Sequence, residues 1–177
     1  MLKYVDTKVT FSEVPDEISL CINISNCPHR CKGCHSPYLQ EDIGGLLSEE
    51  TLSAFIEHNK GITCVCFMGG DNDILTLVGL ANMVHKKYNL RTAWYSGLNW
   101  SPSQIDRPSC MAFDYIKTGP YVEALGPLTS KKTNQRMYAK GSVLPKMDAS
   151  SHMFYDITGK FWKDGDNNEE AGVETQP

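Results

Sequence analysis

The sequence predicts an α/β domain with a mostly parallel sheet. Short β-like runs alternate with amphipathic runs of helical period, the pattern of repeated strand–helix units. One run, residues 62–68 (ITCVCFM), is almost continuously apolar, as expected for a strand that helices cover on both faces. With 177 residues, the chain is too short for a complete (β/α)8 barrel, which needs about 250.

The first predicted elements are a strand at residues 18–24 and a helix that begins after Ser48. A long polar loop, from Cys27 to about Gly45, separates them, and a loop of that length in a compact domain is usually functional. Ser48 is a preferred helix-capping residue, and the two glutamates after it suit the positive first turn. Gly61 then ends the helix.

The strand at residues 62–68 leads into a second helix, for which Asp73 is the predicted cap. Strands are predicted at residues 90–95 and 113–116. After Gly119, turn residues become frequent and the pattern assigns no further element.

Residues 1–162 are interpreted as one domain, and residues 163–177 (KDGDNNEEAGVETQP) as a disordered acidic tail. The net charge of −4 gives no global attraction to nucleic acid or to an anionic membrane. The amino-terminal stretch lacks the apolar region of a secretion signal, and no run is long and apolar enough to span a bilayer. We therefore expect a cytoplasmic protein with neither nucleic acid nor membrane as a partner.

The chain contains seven cysteines, an odd number that argues against a fully paired disulfide framework. Three of them fall within the eight-residue run CPHRCKGC, and clustered cysteines in a reducing compartment usually bind metal or react. The others are expected to pack in the core as small apolar side chains. These four are Cys21, Cys64, Cys66 and Cys110.

Cys27, Cys31 and Cys34, in the spacing C-x3-C-x2-C, are the candidate metal ligands. A [4Fe-4S] cluster has four irons and a full set of four thiolate ligands, so three cysteines leave one iron open to an external ligand. The alternative is a structural zinc site completed by His29 or His35, although such sites normally draw on two separated ligand pairs. The position after the first predicted strand favours the cluster, since α/β folds place their sites at the carboxyl ends of parallel strands.

Gly69, Gly70 and Asp71 occupy the corresponding position after the next predicted strand. Two glycines let the backbone approach a ligand closely, and the carboxylate can accept hydrogen bonds from an ammonium group. The same triplet is also an ordinary strand-to-helix turn.

Together, the three-cysteine loop and the GG-acid triplet resemble the radical S-adenosylmethionine superfamily. Within it, the segments CPHRCKGCHSPYLQ, FMGGD, WYSG, KTGPYVEAL and TNQR are similar to the activating proteins of anaerobic ribonucleoside-triphosphate reductase. The resemblance covers about residues 20–138. Met68 and Asn72 depart from the family pattern, which more often has serine and proline there.

The resemblance implies a partial (β/α) barrel of the radical S-adenosylmethionine type, with a [4Fe-4S] cluster and S-adenosylmethionine as cofactors. Asp71 and the backbone of Gly69 and Gly70 would hold the amino group of S-adenosylmethionine. Ser96 is a further candidate for a polar contact, although it also suits a solvated turn. The nucleoside part would contact the backbone of Gly33, Cys34 and His35.

The implied activity is reductive cleavage of S-adenosylmethionine to methionine and a 5′-deoxyadenosyl radical. That radical would generate a glycyl radical in the C-terminal glycine loop of the reductase large subunit. The other implied partner is a low-potential electron donor such as flavodoxin. A basic stretch is formed by Lys131, Lys132, Arg136 and Lys140. It has two interpretations: a surface that docks an acidic face of the reductase, or simply a solvated face.

Three alternatives stay open at this point. Two lie within the superfamily: an activase of another glycyl-radical enzyme, and a small radical enzyme acting on a metabolite. The third is a zinc-stabilised interaction module without catalytic activity.

Overall fold

The computed structural model describes residues 1–104, 107–147, 150 and 153–162. The tail predicted at residues 163–177 lies outside the described residues. The strands are β1 (Lys3–Thr10), β2 (Ser19–Ile24), β3 (Gly45–Leu46), β4 (Cys64–Met68), β5 (Arg91–Tyr95), β6 (Tyr115–Thr118), β7 (Arg136–Lys140) and β8 (Phe154–Asp156). The α-helices are α1 (Glu49–His58), α2 (Ile74–Tyr88) and α3 (Arg107–Met111).

The described strands form one sheet in the order β3-β1-β2-β4-β5-β6-β7-β8. The pairings β2–β4, β4–β5 and β5–β6 are parallel, and the other four are antiparallel. The prediction of a mostly parallel sheet is therefore wrong. The strand order has β3 and β8 at its two ends and does not establish a partial barrel.

The parallel centre and the antiparallel edges arise from different connections. Each parallel step crosses over through one of the helices α1, α2 and α3, as the alternating sequence pattern predicted. By contrast, β1 and β2 are adjacent in sequence and pair directly, as do β6 and β7. Two strands joined without a crossover helix pair in antiparallel fashion, and β1 and β7 were not identified in the sequence.

Both predicted helix caps are confirmed. The Ser48 side chain accepts a hydrogen bond from the backbone N–H of Thr51, and Asp73 accepts one from that of Thr76. Each cap satisfies a donor that the first helical turn leaves unpaired.

Helix α1 ends at His58 with Asn59 as its cap, before the predicted stop at Gly61. Helix α2 ends at Tyr88, and its cap Asn89 has left-handed backbone.

Two clusters of buried side chains make up the core. The larger one lies between the helices and the sheet and includes Phe67, Trp94 and Phe113. The smaller one contains Met137 and three of the four cysteines that were expected to be apolar core residues. Cys110 belongs to the larger cluster, so all four are buried as predicted. Among the described residues, no helix has both the length and the apolar composition needed to cross a bilayer.

The parallel centre of the sheet determines where a site can form. The carboxyl ends of β2, β4, β5 and β6 lie at one edge of the sheet, because these four strands run in the same direction. The cysteine loop follows β2, and the GG-acid triplet follows β4. The fold therefore brings together two motifs that lie more than thirty residues apart in the sequence.

Candidate metal centre

The cysteine loop is anchored at its two ends. At its start, Asn26 N donates to Glu41 O at 3.0 Å and Cys27 N donates to Leu39 O at 2.9 Å. Between these anchors the chain turns sharply, with left-handed backbone at Asn26, Arg30 and Gly33. Glycine adopts this conformation without the steric cost that a Cβ would bring, which suits Gly33 to its place between Cys31 and Cys34.

The three cysteines line one cleft of about 320 Å³ together with residues from the other loops at this edge. All three are partly exposed free thiols. Five of the seven positions predicted to bind a cofactor also line this cleft. They are Cys34, His35, Gly69, Asp71 and Ser96. Its volume lies at the lower end of the range for small-molecule sites.

The donor set fits an iron–sulfur cluster better than a single zinc ion. Within the described part of the chain, no group of three His, Cys, Asp or Glu side chains converges on a single-ion site. A cluster does not need such convergence, because each thiolate binds a different iron. The His29 ring, one candidate to complete a zinc site, is directed to Asp71 instead.

Burial raises the pKa of the Cys27 thiol, and the negative charge of Asp71 adds to this rise. Metal binds the thiolate, so iron must displace a proton from this side chain. Cys64 and Cys66 in the core have pKa values raised well above the ordinary value by burial, which is typical of inert structural thiols.

Asp71 is almost completely buried, and protein donors already occupy its carboxylate. Oδ1 accepts a hydrogen bond from Ser96 Oγ at 2.6 Å. Oδ2 accepts one from Gly97 N at 2.9 Å and lies 2.9 Å from His29 Nε2. The carboxylate thus joins three loops, those after β2, β4 and β5. Its predicted contact with the amino group of S-adenosylmethionine stays a prediction.

The two glycines of the triplet have different environments. Both have left-handed backbone, and Gly69 lines the cleft. A Cβ on Gly69 would lie 3.1 Å from the carbonyl oxygen of Ile24, and one on Gly70 would lie 3.0 Å from the side chain of Leu77. Gly70 is buried against helix α2 and does not belong to the cleft lining, so its role is the turn itself.

Two other predicted positions contact the segment after β6. The ring centroids of His35 and Tyr121 are 4.8 Å apart. A Cβ on Gly33 would lie 3.1 Å from the carboxylate carbon of Glu123. The segment containing Tyr121 and Glu123 therefore packs against the cysteine loop, a contact that the sequence did not reveal.

Lys117 is a further cleft residue that the sequence reasoning missed. It lies near the carboxyl end of β6 and is only 8% exposed, and its ammonium group donates to Gly119 O at 2.7 Å. Burial lowers the pKa of Lys117 to about 8, although the negative charges of Asp71 and the three cysteines oppose this effect. A lysine within the apolar strand segment YIKT was the signal available in the sequence.

The predicted basic stretch does not form one surface. Lys131 and Lys132 are exposed, whereas Lys140 is only 7% exposed and donates to Met111 O at 2.9 Å. Arg136 donates to the nearby carbonyl oxygens of Thr133 and Gln135. Lys140 is thus a structural residue and does not belong to an exposed basic surface. Docking of the reductase through the remaining residues stays a prediction.

A mixed α/β fold with three cysteines at the carboxyl ends of its parallel strands fits an iron–sulfur protein. The comparison with protein families supports this class, since the family described as 4Fe-4S single cluster domain matches residues 18–142. The chain belongs to the 4Fe-4S single cluster domain family. The comparisons with curated proteins and with solved structures found no match.

The family match supports the predicted [4Fe-4S] cofactor over zinc. The matched range begins just before β2 and ends just after β7, so it contains the whole cysteine loop and all the cleft-lining residues except Glu13. The assignment of Cys27, Cys31 and Cys34 as the iron ligands stays a prediction, as does the binding of S-adenosylmethionine.

Proposed function

We propose that this iron–sulfur protein is a radical S-adenosylmethionine enzyme that activates anaerobic ribonucleoside-triphosphate reductase. The observation that carries the proposal is the shared cleft of the three-cysteine loop and the GG-acid loop. A cluster held by only three thiolates keeps one iron open, and the open position would face the loop proposed to hold the ligand. The proposal includes a sheet curved as a partial barrel.

The charges in the cleft suit S-adenosylmethionine, which carries a sulfonium, an ammonium and a carboxylate. Asp71 and the thiolates supply negative charge, and Lys117 supplies positive charge on the facing strand. Gly69 lets the backbone approach the ligand, since it carries no side chain toward the cleft. Asp71 contributes its charge and holds the loops, because its oxygens already accept hydrogen bonds from the protein.

When bound, a [4Fe-4S] cluster can supply one electron at a potential that reaches about −700 mV in proteins. In the proposed reaction this electron breaks the bond between sulfur and the 5′ carbon, giving methionine and a 5′-deoxyadenosyl radical. The radical then takes one hydrogen atom from the α-carbon of a glycine in the reductase, leaving 5′-deoxyadenosine and a glycyl radical. A low-potential donor such as flavodoxin would supply the electron.

The proposed reaction is tested with anaerobically reconstituted protein, dithionite, S-adenosylmethionine and the reductase large subunit. We expect a glycyl radical signal by electron paramagnetic resonance and one methionine for each 5′-deoxyadenosine. A reductase variant with alanine at the radical glycine is the matched control and should give no such signal. Cleavage of S-adenosylmethionine without a radical on the reductase would reject the reductase as the partner. A protein that binds iron but does not cleave S-adenosylmethionine would reject the proposed activity itself.

A further inference from the structure

The cysteine loop is attached to the opposite side of the cleft through one side chain. His29 lies between Cys27 and Cys31, and its Nε2 is 2.9 Å from Asp71 Oδ2. Because an ionised carboxylate only accepts hydrogen bonds, Nε2 is the donor. Within residues 27–34, all of which the structure describes, the side-chain hydrogen bond to another loop is the one that His29 makes with Asp71.

The ring of His29 rests directly on Gly97, the residue after Ser96 at the end of β5. A Cβ on Gly97 would lie 2.3 Å from His29 Cδ2 and 2.8 Å from Nε2. Gly97 does not have left-handed backbone, so alanine could adopt its conformation. The three atoms nearest to such a Cβ all belong to the imidazole ring, so the ring is the first group that a side chain at this position would displace.

Gly97 also takes part in the same hydrogen-bond arrangement. Its backbone N–H donates to Asp71 Oδ2, the oxygen that accepts from His29. The side chains of Asp71 and His29 are 2% and 19% exposed, so water competes little for the bond between them. A charge-assisted hydrogen bond shielded from water is among the stronger contacts available to a loop.

We infer that His29 is a positioning residue that holds the cysteine loop in register with the ligand-binding side of the cleft. The ring packs on Gly97 and donates to Asp71, so the loop that carries the cluster ligands and the loop that faces the ligand move as one unit. The inference about the cluster rests on the three cysteines as ligands, and its consequence for S-adenosylmethionine rests on the proposed function.

Two single variants and their combination test this inference. His29→Ala removes the ring, and Gly97→Ala expels it while leaving the histidine in the chain. Each should speed the release of iron to a ferrous chelator about tenfold or more under anaerobic conditions, since each loses a charge-assisted contact. The double variant should release iron no faster than His29→Ala, because the added methyl group then has no ring to displace. Additive effects in the double variant would overturn the inference.

His29→Gln is the conservative variant, since its side-chain amide can donate to Asp71 in place of the ring nitrogen. We expect it to restore iron retention to within about twofold of the unaltered protein. A glutamine variant as defective as His29→Ala, or a His29→Ala protein that retains iron normally, would also overturn the inference.

A second readout is the change in the spectrum of the reduced cluster when S-adenosylmethionine is added. His29→Ala should need about tenfold more S-adenosylmethionine for the half-maximal change, and His29→Gln should be close to the unaltered protein. An unaltered protein with no spectral change would reject the proposed function, whereas the iron-release measurements would still decide the role of His29.

Discussion

Ser96 Oγ donates a hydrogen bond to Asp71 Oδ1 at 2.6 Å and so joins the loop after β5 to the loop after β4. Asp71 was expected to contact a ligand directly, and Ser96 was considered a candidate for a polar contact. In the structure the two side chains are buried and satisfy each other. This hydrogen bond therefore helps to fix the shape of the cleft, whereas the two ligand contacts stay predictions.

Replacing Asp71 with asparagine should lower the free energy of unfolding by about 1–3 kcal/mol, because an amide cannot accept all the hydrogen bonds of the carboxylate. The three cysteines remain, so the variant should still bind iron. Urea denaturation of the iron-free protein measures the change in stability. Asp42→Asn is the control: Asp42 is 61% exposed in its pair with Lys3, so its change should stay within about 0.5 kcal/mol. Equal effects of the two substitutions would contradict the structural role of Asp71.

Replacing Cys31 with alanine should abolish assembly of a stable [4Fe-4S] cluster, since only two thiolates of the loop would remain. Iron and acid-labile sulfide are measured after anaerobic reconstitution. Cys64→Ala is the matched control, because Cys64 is fully buried in the smaller core cluster and should leave the iron content unchanged. A Cys31→Ala protein with normal iron and sulfide would remove Cys31 from the ligand set.

Glu17 forms a buried network at the opposite end of the parallel strands. Its carboxylate accepts hydrogen bonds from Tyr115 OH at 2.8 Å, from Thr63 Oγ1 at 2.5 Å and from the guanidinium group of Arg91. Glu17→Gln should lower the free energy of unfolding by about 1–3 kcal/mol. The expected decrease in stability is moderate because the Arg91 side chain is partly exposed and water can solvate its charge. Iron content should not change, because the network lies away from the cleft. Loss of iron without loss of stability would contradict this separation.

Lys117 should make stability depend on pH above neutrality. Its pKa is about 8 in the folded protein, below its ordinary value of 10.5, because the side chain is buried. Between these two pH values the unfolded chain binds a proton that the folded chain does not, so stability rises with pH in this window. Lys117→Met should remove this rise.

The difference in unfolding free energy between the unaltered iron-free protein and Lys117→Met is measured from pH 7 to pH 10. Lys3→Met, which removes a partly exposed lysine far from the cleft, is measured as the control for loss of a lysine side chain. A constant difference between the unaltered protein and Lys117→Met across the range would show that Lys117 does not titrate there.

Much of the local structure could be predicted from the sequence. Both caps, at Ser48 and Asp73, were correct because a short polar side chain before an apolar periodic run satisfies the first helical N–H groups without help from the rest of the fold. The four central strands were also placed to within about two residues. The four strands of the antiparallel flanks, β1, β3, β7 and β8, were missed, because their identity depends on the neighbouring strand with which they pair.

The sequence by itself was enough to predict the class of this protein: three thiols in one short loop predict an iron–sulfur cluster, and the family match supports a 4Fe-4S cluster. The open iron position stays a prediction. The tertiary structure alone decided which groups surround that loop. Asp71, His29 and Gly97 come from three separate loops, and they meet because parallel strands carry those loops to one edge of the sheet. Hydrogen bonds between residues far apart in the chain leave no spacing pattern, so only the folded structure shows that the carboxylate of Asp71 holds these loops together.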